Sequence, residues 1–233
     1  AYAARAAGVP CTVVVPEGAP QVKVDRIRAL GAEVLLVPPA RRLAEAERVA
    51  ADSGAALVPP FDDRRIIAGQ GTIGLEIVAD RPDVDVVLVP VGGGGLSSGL
   101  ATAVKALRPS TAVIGVEPAL AADARDSLAA GEVVVWDVER TYRSSADGLR
   151  TSLSALTLAH LGERLDGIVT VTEEEIGGAM GRLVREARLV VEPSGAVAVA
   201  ARLFHRDELP AGPTVAVVTG GNVDPAVLAR VLG

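Results

Sequence analysis

A run of four glycines is the feature of this sequence that most directly suggests chemistry. It follows a short apolar stretch that ends at Pro90, and an alanine-rich stretch with helical spacing begins near Ser97. The four residues, called the glycine turn below, are Gly92, Gly93, Gly94 and Gly95. A glycine-rich connection between a strand and a helix lets the backbone approach an anion, and free N–H groups at the helix start favour a phosphate. Its place after a strand predicts a phosphate site, with a plain tight turn as the simpler alternative.

A second glycine-containing turn, Thr219-Gly220-Gly221-Asn222, ends another apolar stretch. Two such turns at strand ends suit a compact ligand with a phosphate at one end and a ring nitrogen at the other. The same region leaves an alternative open, because Gly93-x-Gly95-x-x-x-Gly99, followed by Glu117 after the next strand, mimics a dinucleotide fingerprint. No set of lysine, histidine and cysteine residues for hydride transfer accompanies it, so we favour the compact ligand.

The remaining reactive side chains stand alone in the sequence. His160 and His205 have no partners at the spacing of a metal site, so surface or helix-capping roles are expected. Cys11 opens a predicted strand and is expected to be a small buried apolar residue. The chain has only two lysines, Lys23 and Lys105, and both fall in predicted helices, where we expect them to face solvent.

Composition restricts the classes of protein to which the chain can belong. The 233 residues carry a net charge of −6 and 2% aromatic residues, so they offer neither the basic surface nor the stacking platform that nucleic acids require. One cysteine can form no internal disulfide, and no apolar run reaches the roughly 18 residues that a membrane span needs. We therefore expect a cytoplasmic protein that binds small metabolites, with no nucleic-acid or membrane partner.

The elements that hold the two turns alternate along the chain. Short β-branched runs alternate with longer alanine-rich stretches, a pattern typical of βαβ units and of a parallel sheet buried on both faces. The fold class is therefore α/β. Strands are predicted at 12–15, 33–37, 56–58, 84–89, 112–116, 168–171 and 214–218. Helices are predicted at 1–7, 20–30, 42–51, 71–79, 97–107, 173–188, 195–203 and 225–232.

Irregular segments mark the organisation of the chain. Turn residues mixed with charge at 59–63 predict a domain boundary near residue 60. The stretch 122–150 shows no clear periodicity and is longer than most loops, so we expect it to be functional. Glu173, Glu174 and Glu175 follow Thr172, and we expect a helix-start charge cluster there rather than a site. Without a starting methionine or leader, Ala1 is expected to be an internal position of a longer protein.

In their order along the chain, the motifs resemble the fold-type II pyridoxal-phosphate enzymes, and within them the serine/threonine dehydratase and serine racemase branch. The resemblance extends over essentially the whole length. It implies two open parallel-sheet domains, in which 1–60 is the remnant of a small mobile domain and 61–233 is the large cofactor-binding domain. The matching segments are AYAA at 1–4, VPEGAP at 15–20, IAGQGT at 67–72, the glycine turn, VEP at 116–118, ADGL at 146–149, VEPSGA at 191–196 and TGGN at 219–222.

The resemblance implies how the cofactor, pyridoxal 5'-phosphate, would be held. The glycine turn and Leu96 match the loop that binds the phosphate through backbone N–H groups. Thr219 matches the hydroxyl or thiol that faces the pyridine nitrogen, while Glu192 and Gly148 match residues near the cofactor and in the pocket wall. A neutral hydroxyl supports an unprotonated nitrogen and a weaker electron sink than a carboxylate would, which suits β-elimination.

The resemblance also suggests residues for the substrate and for a metal ion. Arg42 matches a small-domain arginine that meets the substrate carboxylate, although Arg41 beside it leaves the register open. Glu117, the carbonyl of Ala121 and Asp123 match the positions that bind a divalent cation in the racemase branch. Oxygen ligands of this kind suit Mg²⁺ or Ca²⁺, and a solvated loop is the alternative.

The implied activity is a β-elimination that converts L-serine or L-threonine to a 2-oxo acid and ammonia. Serine racemisation is the sibling activity, and a binding or regulatory module without catalysis is the alternative from another class. The family's Schiff-base lysine and its Ser-Gly-Asn-His loop do not occur in these residues, so we expect both to lie upstream of Ala1. The chain by itself is then expected to be inactive, and the intact enzyme is expected to be a homodimer.

Overall fold

The computed structural model describes residues 1–233, and they form two compact units. The first unit contains Ala1–Val58 and Asn222–Ala229, and the second contains Pro59–Gly221 and Arg230–Gly233. The predicted larger domain at 61–233 therefore differs from the second unit, because Asn222–Ala229 groups with the first. None of the helices combines the length and the apolar composition needed to cross a membrane.

The first unit is built around a pair of parallel strands, β1 (Thr12–Pro16) and β2 (Glu33–Val37). Its helices are α1 (Tyr2–Ala7), α2 (Gln21–Ala29) and α3 (Arg42–Ser53). Few of its apolar side chains are deeply buried, and Val15 and Val24 are among them. The predicted strand at 56–58 does not form. Two prolines follow it directly, and proline has no N–H with which to extend a ladder.

The second unit holds a four-stranded parallel sheet in the order β5-β4-β3-β6. Its strands are β3 (Val86–Pro90), β4 (Ala112–Pro118), β5 (Gly167–Val171) and β6 (Thr214–Ala216). Its helices are α4 (Arg64–Asp80), α5 (Gly95–Leu107), α6 (Asp123–Ala130), α7 (Val138–Thr141), α8 (Ala155–Arg164), α9 (Glu173–Arg182) and α10 (Pro193–Phe204). The last helix, α11 (Pro225–Leu232), is divided, with 225–229 in the first unit and 230–232 in the second. β3 is buried along its whole length, as expected of a strand covered on both faces.

Helices α4 and α5 pack with their backbones in contact. A Cβ atom added at Gly99 would lie 2.1 Å from the carbonyl oxygen of Ile67, and one at Gly74 would lie 2.8 Å from that of Leu100. Leu100 and Val104 on the inner side of α5 join the core cluster under the sheet. The glycines in these two helices therefore bring α5 close to α4, and the start of α5 is the glycine turn.

Three expectations from the sequence are wrong within the second unit. The stretch 122–150 is not one irregular loop, since it contains α6 and α7. Helix α8 was not predicted, although Ser154 and Thr157 form a capping box at its start. The helix predicted at 173–188 is α-helical only to Arg182, and a π-helical turn, Leu183–Ala187, leads to Arg188 in a left-handed conformation (φ 60°).

The sequence suggested that Lys105 faces solvent, but in the structure its side chain is mostly enclosed. Its side chain is 21% exposed, and its Nζ lies 2.6 Å from Asp166 Oδ2. The same Nζ donates to the carbonyl of Thr111 at 2.9 Å, and Asp166 accepts from the Val113 N–H at 2.7 Å. The lysine therefore joins α5 to the segments that precede β4 and β5.

Candidate functional site

The two glycine-containing turns lie at the same edge of the four-stranded sheet. β3 leads into the glycine turn and β6 into the second turn, and these parallel neighbours pair Val86 with Thr214 and Leu88 with Ala216. The N–H of Val217 donates to the carbonyl of Leu88 at 3.0 Å, which continues the ladder beyond Ala216. Neighbouring strands are about 4.8 Å apart, so one small ligand at this carboxyl edge can contact both turns.

The glycine turn presents backbone N–H groups that donate to no acceptor within the protein. These groups belong to Gly92, Gly93, Gly94, Gly95 and Leu96. Three of the five residues are buried, and buried N–H groups without a partner are rare because each costs free energy. A phosphate at the start of α5 would accept from several of them at once and would also meet the positive end of the helix dipole. The donor set therefore fits a phosphate group.

Close packing explains why these positions are glycine. A Cβ atom at Gly93 would lie 2.5 Å from Cδ1 of Phe61, and one at Gly95 would lie 2.7 Å from Cβ of Phe61. Gly94 has a left-handed backbone (φ 86°), and a Cβ atom there would lie 2.8 Å from Cβ of Thr157. Phe61 and Thr157 thus hold the turn in place, and a larger residue would move it away from the start of α5.

Gly148, which the resemblance suggested as part of the pocket wall, lies next to the glycine turn. A Cβ atom at Gly92 would lie 3.2 Å from the carbonyl oxygen of Gly148 and 3.0 Å from Cα of Leu149. The N–H of Gly148 donates to Oγ of Ser194 at 2.9 Å. Ser194 is buried near the start of α10, and its role was not inferred from the sequence. The signal was present in the VEPSGA motif, but the contact with Gly148 depends on the tertiary fold.

The second turn packs on the segment that begins α10. The N–H of Glu192 donates to the carbonyl of Gly220 at 3.0 Å, and a Cβ atom at Gly195 would lie 2.7 Å from the same oxygen. A Cβ atom at Gly220 would lie 2.4 Å from Oε1 of Glu192, so the buried Glu192 side chain lies beside this turn. Thr219, next to Gly220, is exposed. Its hydroxyl is a neutral group that can donate to a ring nitrogen.

Glu117 is enclosed at the end of β4 and caps the next helix. Only 1% of the residue is exposed, and its carboxylate oxygens accept from the N–H groups of Ala124 at 3.0 Å and Arg125 at 2.9 Å. Burial raises the pKa of Glu117 to about 8. A carboxyl group held in this way is not available to a ribose hydroxyl, which is the role that the dinucleotide alternative requires of it.

Asp123, a second residue of the predicted cation site, lies close enough to Glu117 to interact with its charge, and Ala121 is buried. Burial raises the pKa of Asp123, and its Oδ2 accepts no hydrogen bond from another protein group. The chain contains no group of three or more histidine, cysteine, aspartate or glutamate side chains arranged to hold a metal ion. The predicted set has two carboxylates, and that of Glu117 is already bonded on both oxygens. A Mg²⁺ or Ca²⁺ ion at these residues therefore stays a prediction.

Arg42, predicted to meet the substrate carboxylate, is the first residue of α3 in the first unit and is partly buried. The residues of the two turns all belong to the second unit, apart from Asn222 at the end of the second turn. The role of Arg42 therefore stays a prediction.

Comparisons with known proteins identify the family to which the chain is similar. The family described as pyridoxal-phosphate dependent enzyme matches residues 1–220. The chain is 42% identical over 237 residues to an L-threonine ammonia-lyase of Geobacter sulfurreducens, covering all of this chain and 58% of that protein. It is 38% identical over 235 residues to a serine racemase of Oryza sativa subsp. indica, covering 98% of this chain and 68% of that protein. A crystal structure of a threonine deaminase from T.th. superposes with a TM-score of 0.89 at 46% identity, covering 96% of this chain and 73% of that one.

Proposed function

The chain belongs to the family of pyridoxal-phosphate dependent enzymes, and we propose that the protein carrying it deaminates L-threonine or L-serine to a 2-oxo acid and ammonia. The observation that supports the proposal is the pairing of β3 with β6, because the glycine turn and Thr219 follow these two neighbouring strands. The L-threonine ammonia-lyase and the threonine deaminase among its relatives support this activity. The chain spans 58% of that ammonia-lyase, so the activity of the whole protein is inferred from its largest part.

The chain's own residues would bind the two ends of the cofactor. The N–H groups of the glycine turn and Leu96 would hold the phosphate, and the wall formed by Gly148 and Leu149 would limit movement on one side. The Thr219 hydroxyl would donate a hydrogen bond to the ring nitrogen, which must then remain unprotonated to accept it. Glu192, beside Gly220, would lie close to that end of the ring.

A cofactor held in this way would supply an electron sink for the α-carbon of the amino acid, and the α-proton would become more acidic. Thr219 would limit the strength of this sink, because a neutral donor gives less support to a protonated ring than a carboxylate would. A modest electron sink suits a substrate whose β-hydroxyl group leaves soon after the α-proton is lost. Threonine and serine both carry such a group.

We propose that the 233 residues alone do not catalyse the reaction. Lys105 is bonded to Asp166 and to the carbonyl of Thr111, and Lys23 lies in α2 of the first unit. Neither lysine stands in the Ser-Phe-Lys-type motif that the resemblance calls for. The amine that binds the cofactor, and that would remove the α-proton, would come from a segment outside these residues.

A substrate assay tests the proposed activity. The protein carrying this chain, loaded with pyridoxal 5'-phosphate, is incubated with L-threonine or L-serine, and 2-oxobutanoate, pyruvate and D-serine are measured. We expect 2-oxo acid as the main product. D-serine without 2-oxo acid would overturn the proposal in favour of the racemase alternative, which the serine racemase relative supports. No product from either substrate would overturn both.

We further propose that the protein is a cytoplasmic homodimer that binds no nucleic acid. The free cysteine, Cys11, supports the compartment, and the acidic net charge of −6 disfavours nucleic acid. The homodimer is proposed from the family resemblance alone. Light scattering would report the mass of the assembly, and fractionation of cells would report the compartment.

A further inference from the structure

Residues 144–150, called the wall loop below, carry Gly148 and Leu149 to the glycine turn. Polar contacts hold the loop at several points. Ser194 on α10 accepts from the N–H of Gly148 at 2.9 Å. Within the loop, Nε of Arg150 donates to the carbonyl of Ser144 at 2.9 Å, and its guanidinium stacks over the Tyr142 ring, 4.9 Å from the centroid. The position of the wall therefore depends on groups outside the segment that contacts the glycine turn.

Glu173, the first residue of α9, accepts hydrogen bonds from the beginning of the wall loop with both carboxylate oxygens. Its Oε1 accepts from Oγ of Ser144 at 2.7 Å, and its Oε2 accepts from the N–H of Ser145 at 2.7 Å. Hydrogen bonds to a carboxylate at this distance are about twice as strong as those between neutral groups. Ser144 is fully buried, so its hydroxyl has no solvent to replace this partner.

Ser144 connects Glu173 to the residues that lie next to the glycine turn. The hydroxyl of Ser144, oriented by Glu173, also accepts from the N–H of Ala146 at 3.2 Å. Ala146 is buried, and its carbonyl accepts from the N–H of Leu149 at 2.9 Å. Leu149 is the residue whose Cα lies against Gly92. A short chain of hydrogen bonds thus runs from α9 to the glycine turn.

The neighbours of Glu173 do not share this role. Glu174 is exposed, and Glu175 accepts from the N–H of Thr172 at 2.7 Å and pairs with His205 at 3.1 Å. The sequence grouped the three glutamates as one charge cluster at a helix start. In the structure only Glu173 reaches the wall loop.

We propose that Glu173 is a positioning residue for the cofactor site, which sets the wall loop against the glycine turn and so tightens the binding of pyridoxal 5'-phosphate. This inference rests on the proposed function, because it takes the glycine turn to be the phosphate site. Glu173 touches neither the turn nor Thr219 in the structure, so it acts through Ser144 and the loop.

The test compares E173A and E173Q with E174A, a matched control one residue along the same helix turn. Binding of pyridoxal 5'-phosphate to the cofactor-free protein that carries this chain is measured by isothermal titration calorimetry, and hydrogen exchange of the Gly148 amide by NMR. We expect E173A to weaken binding and to speed exchange at Gly148, each about tenfold, as the loss of a charge-assisted pair implies. E173Q should fall between wild type and E173A, because the amide keeps one acceptor oxygen. E174A should match wild type in both measurements.

The two proposals fail in different ways. Wild-type protein that binds no pyridoxal 5'-phosphate would overturn the cofactor site, and with it the role of Glu173 at that site. Tight binding by wild type with the same affinity in E173A would overturn the positioning role alone. If E173A does not fold, E173Q decides the question, and an affinity equal to that of wild type would again contradict the role.

Discussion

Oγ of Ser194 lies 2.9 Å from the backbone nitrogen of Gly148, and this hydrogen bond joins the start of α10 to the wall of the glycine turn. Ser194 is 3% exposed, and Gly148 contacts Gly92 through its carbonyl oxygen. The start of α10 also packs against the second turn through Gly195 and Gly220. One helix start therefore contacts the second turn directly and the glycine turn through the wall.

Replacing Ser194 with alanine should weaken this junction. S194A removes the acceptor of the Gly148 N–H, and we expect the free energy of unfolding to fall by about 1–2 kcal/mol. Urea denaturation followed by circular dichroism measures the change. S154A serves as a comparison, because Ser154 caps α8 and is not a partner of Gly148. We expect S154A to lower the free energy of unfolding by a similar amount. A stability of S194A equal to that of wild type would show that Gly148 does not depend on this partner.

The close crossing of α4 and α5 predicts opposite effects for two glycine substitutions. G99A would place a Cβ atom 2.1 Å from the carbonyl oxygen of Ile67, so we expect a loss of about 3 kcal/mol or more. G69A lies on an exposed face of α4 with nothing within 4 Å of the added atom. It should stabilise the protein by up to about 1 kcal/mol, because alanine has the higher helix propensity. Equal melting temperatures for the two variants would contradict the crossing.

His205 pairs with two glutamates, and these interactions should make part of the free energy of unfolding depend on pH. The hydrogen bond with Glu208 raises the pKa of His205, and Glu175 acts in the same direction. Because the folded pKa exceeds the unfolded one, the stabilisation is fully present below about pH 6.5 and is lost as the pH rises through the folded value. H205Q should therefore cost about 0.5–1 kcal/mol at pH 5.5 and less at pH 9. Urea denaturation at both pH values measures this, and a cost that is the same at both would refute it.

Replacing Ser98 with alanine should not destabilise the protein, in contrast to the same change at Ser194. Its hydroxyl is fully buried in α5 and bonds to no other protein group. S98A removes a desolvated polar group, so we expect it to leave stability unchanged or to raise it by about 1 kcal/mol. The neighbouring S97A is the control, because Oγ of Ser97 donates to the carbonyl of Gly94 at 3.3 Å. Destabilisation by S98A greater than that by S97A would count against this assignment.

The parts of the site that the sequence reveals are those that depend on local chain geometry. The glycine turn must follow β3, because a fully apolar strand, a glycine run and a helix are consecutive in the chain. The turn at Thr219 follows β6 for the same reason. The sequence suggested one ligand for both turns, but only the structure shows that β3 and β6 are neighbours in the sheet.

The parts that the sequence does not reveal depend on contacts between distant segments. Glu173 lies 29 residues from Ser144, and no local pattern distinguishes it from Glu174. Helix α6 begins where the buried Glu117 accepts from the N–H groups of its first turn, which is a tertiary contact. The strand predicted at 56–58 failed because its apolar run is short and two prolines end it. For Glu173 and for α6, contacts between distant segments decided the structure, whereas the strand at 56–58 failed for a local reason.

An NMR titration of the ¹⁵N-labelled, cofactor-free protein that carries this chain shows whether pyridoxal 5'-phosphate binds at both turns. We expect the amide signals of residues 92–96 and those of Thr219 and Gly220 to shift together, at one ligand concentration. Inorganic phosphate should shift only the first group. Shifts at only one of the two turns with the full cofactor, or at neither of them, would contradict a single site spanning both.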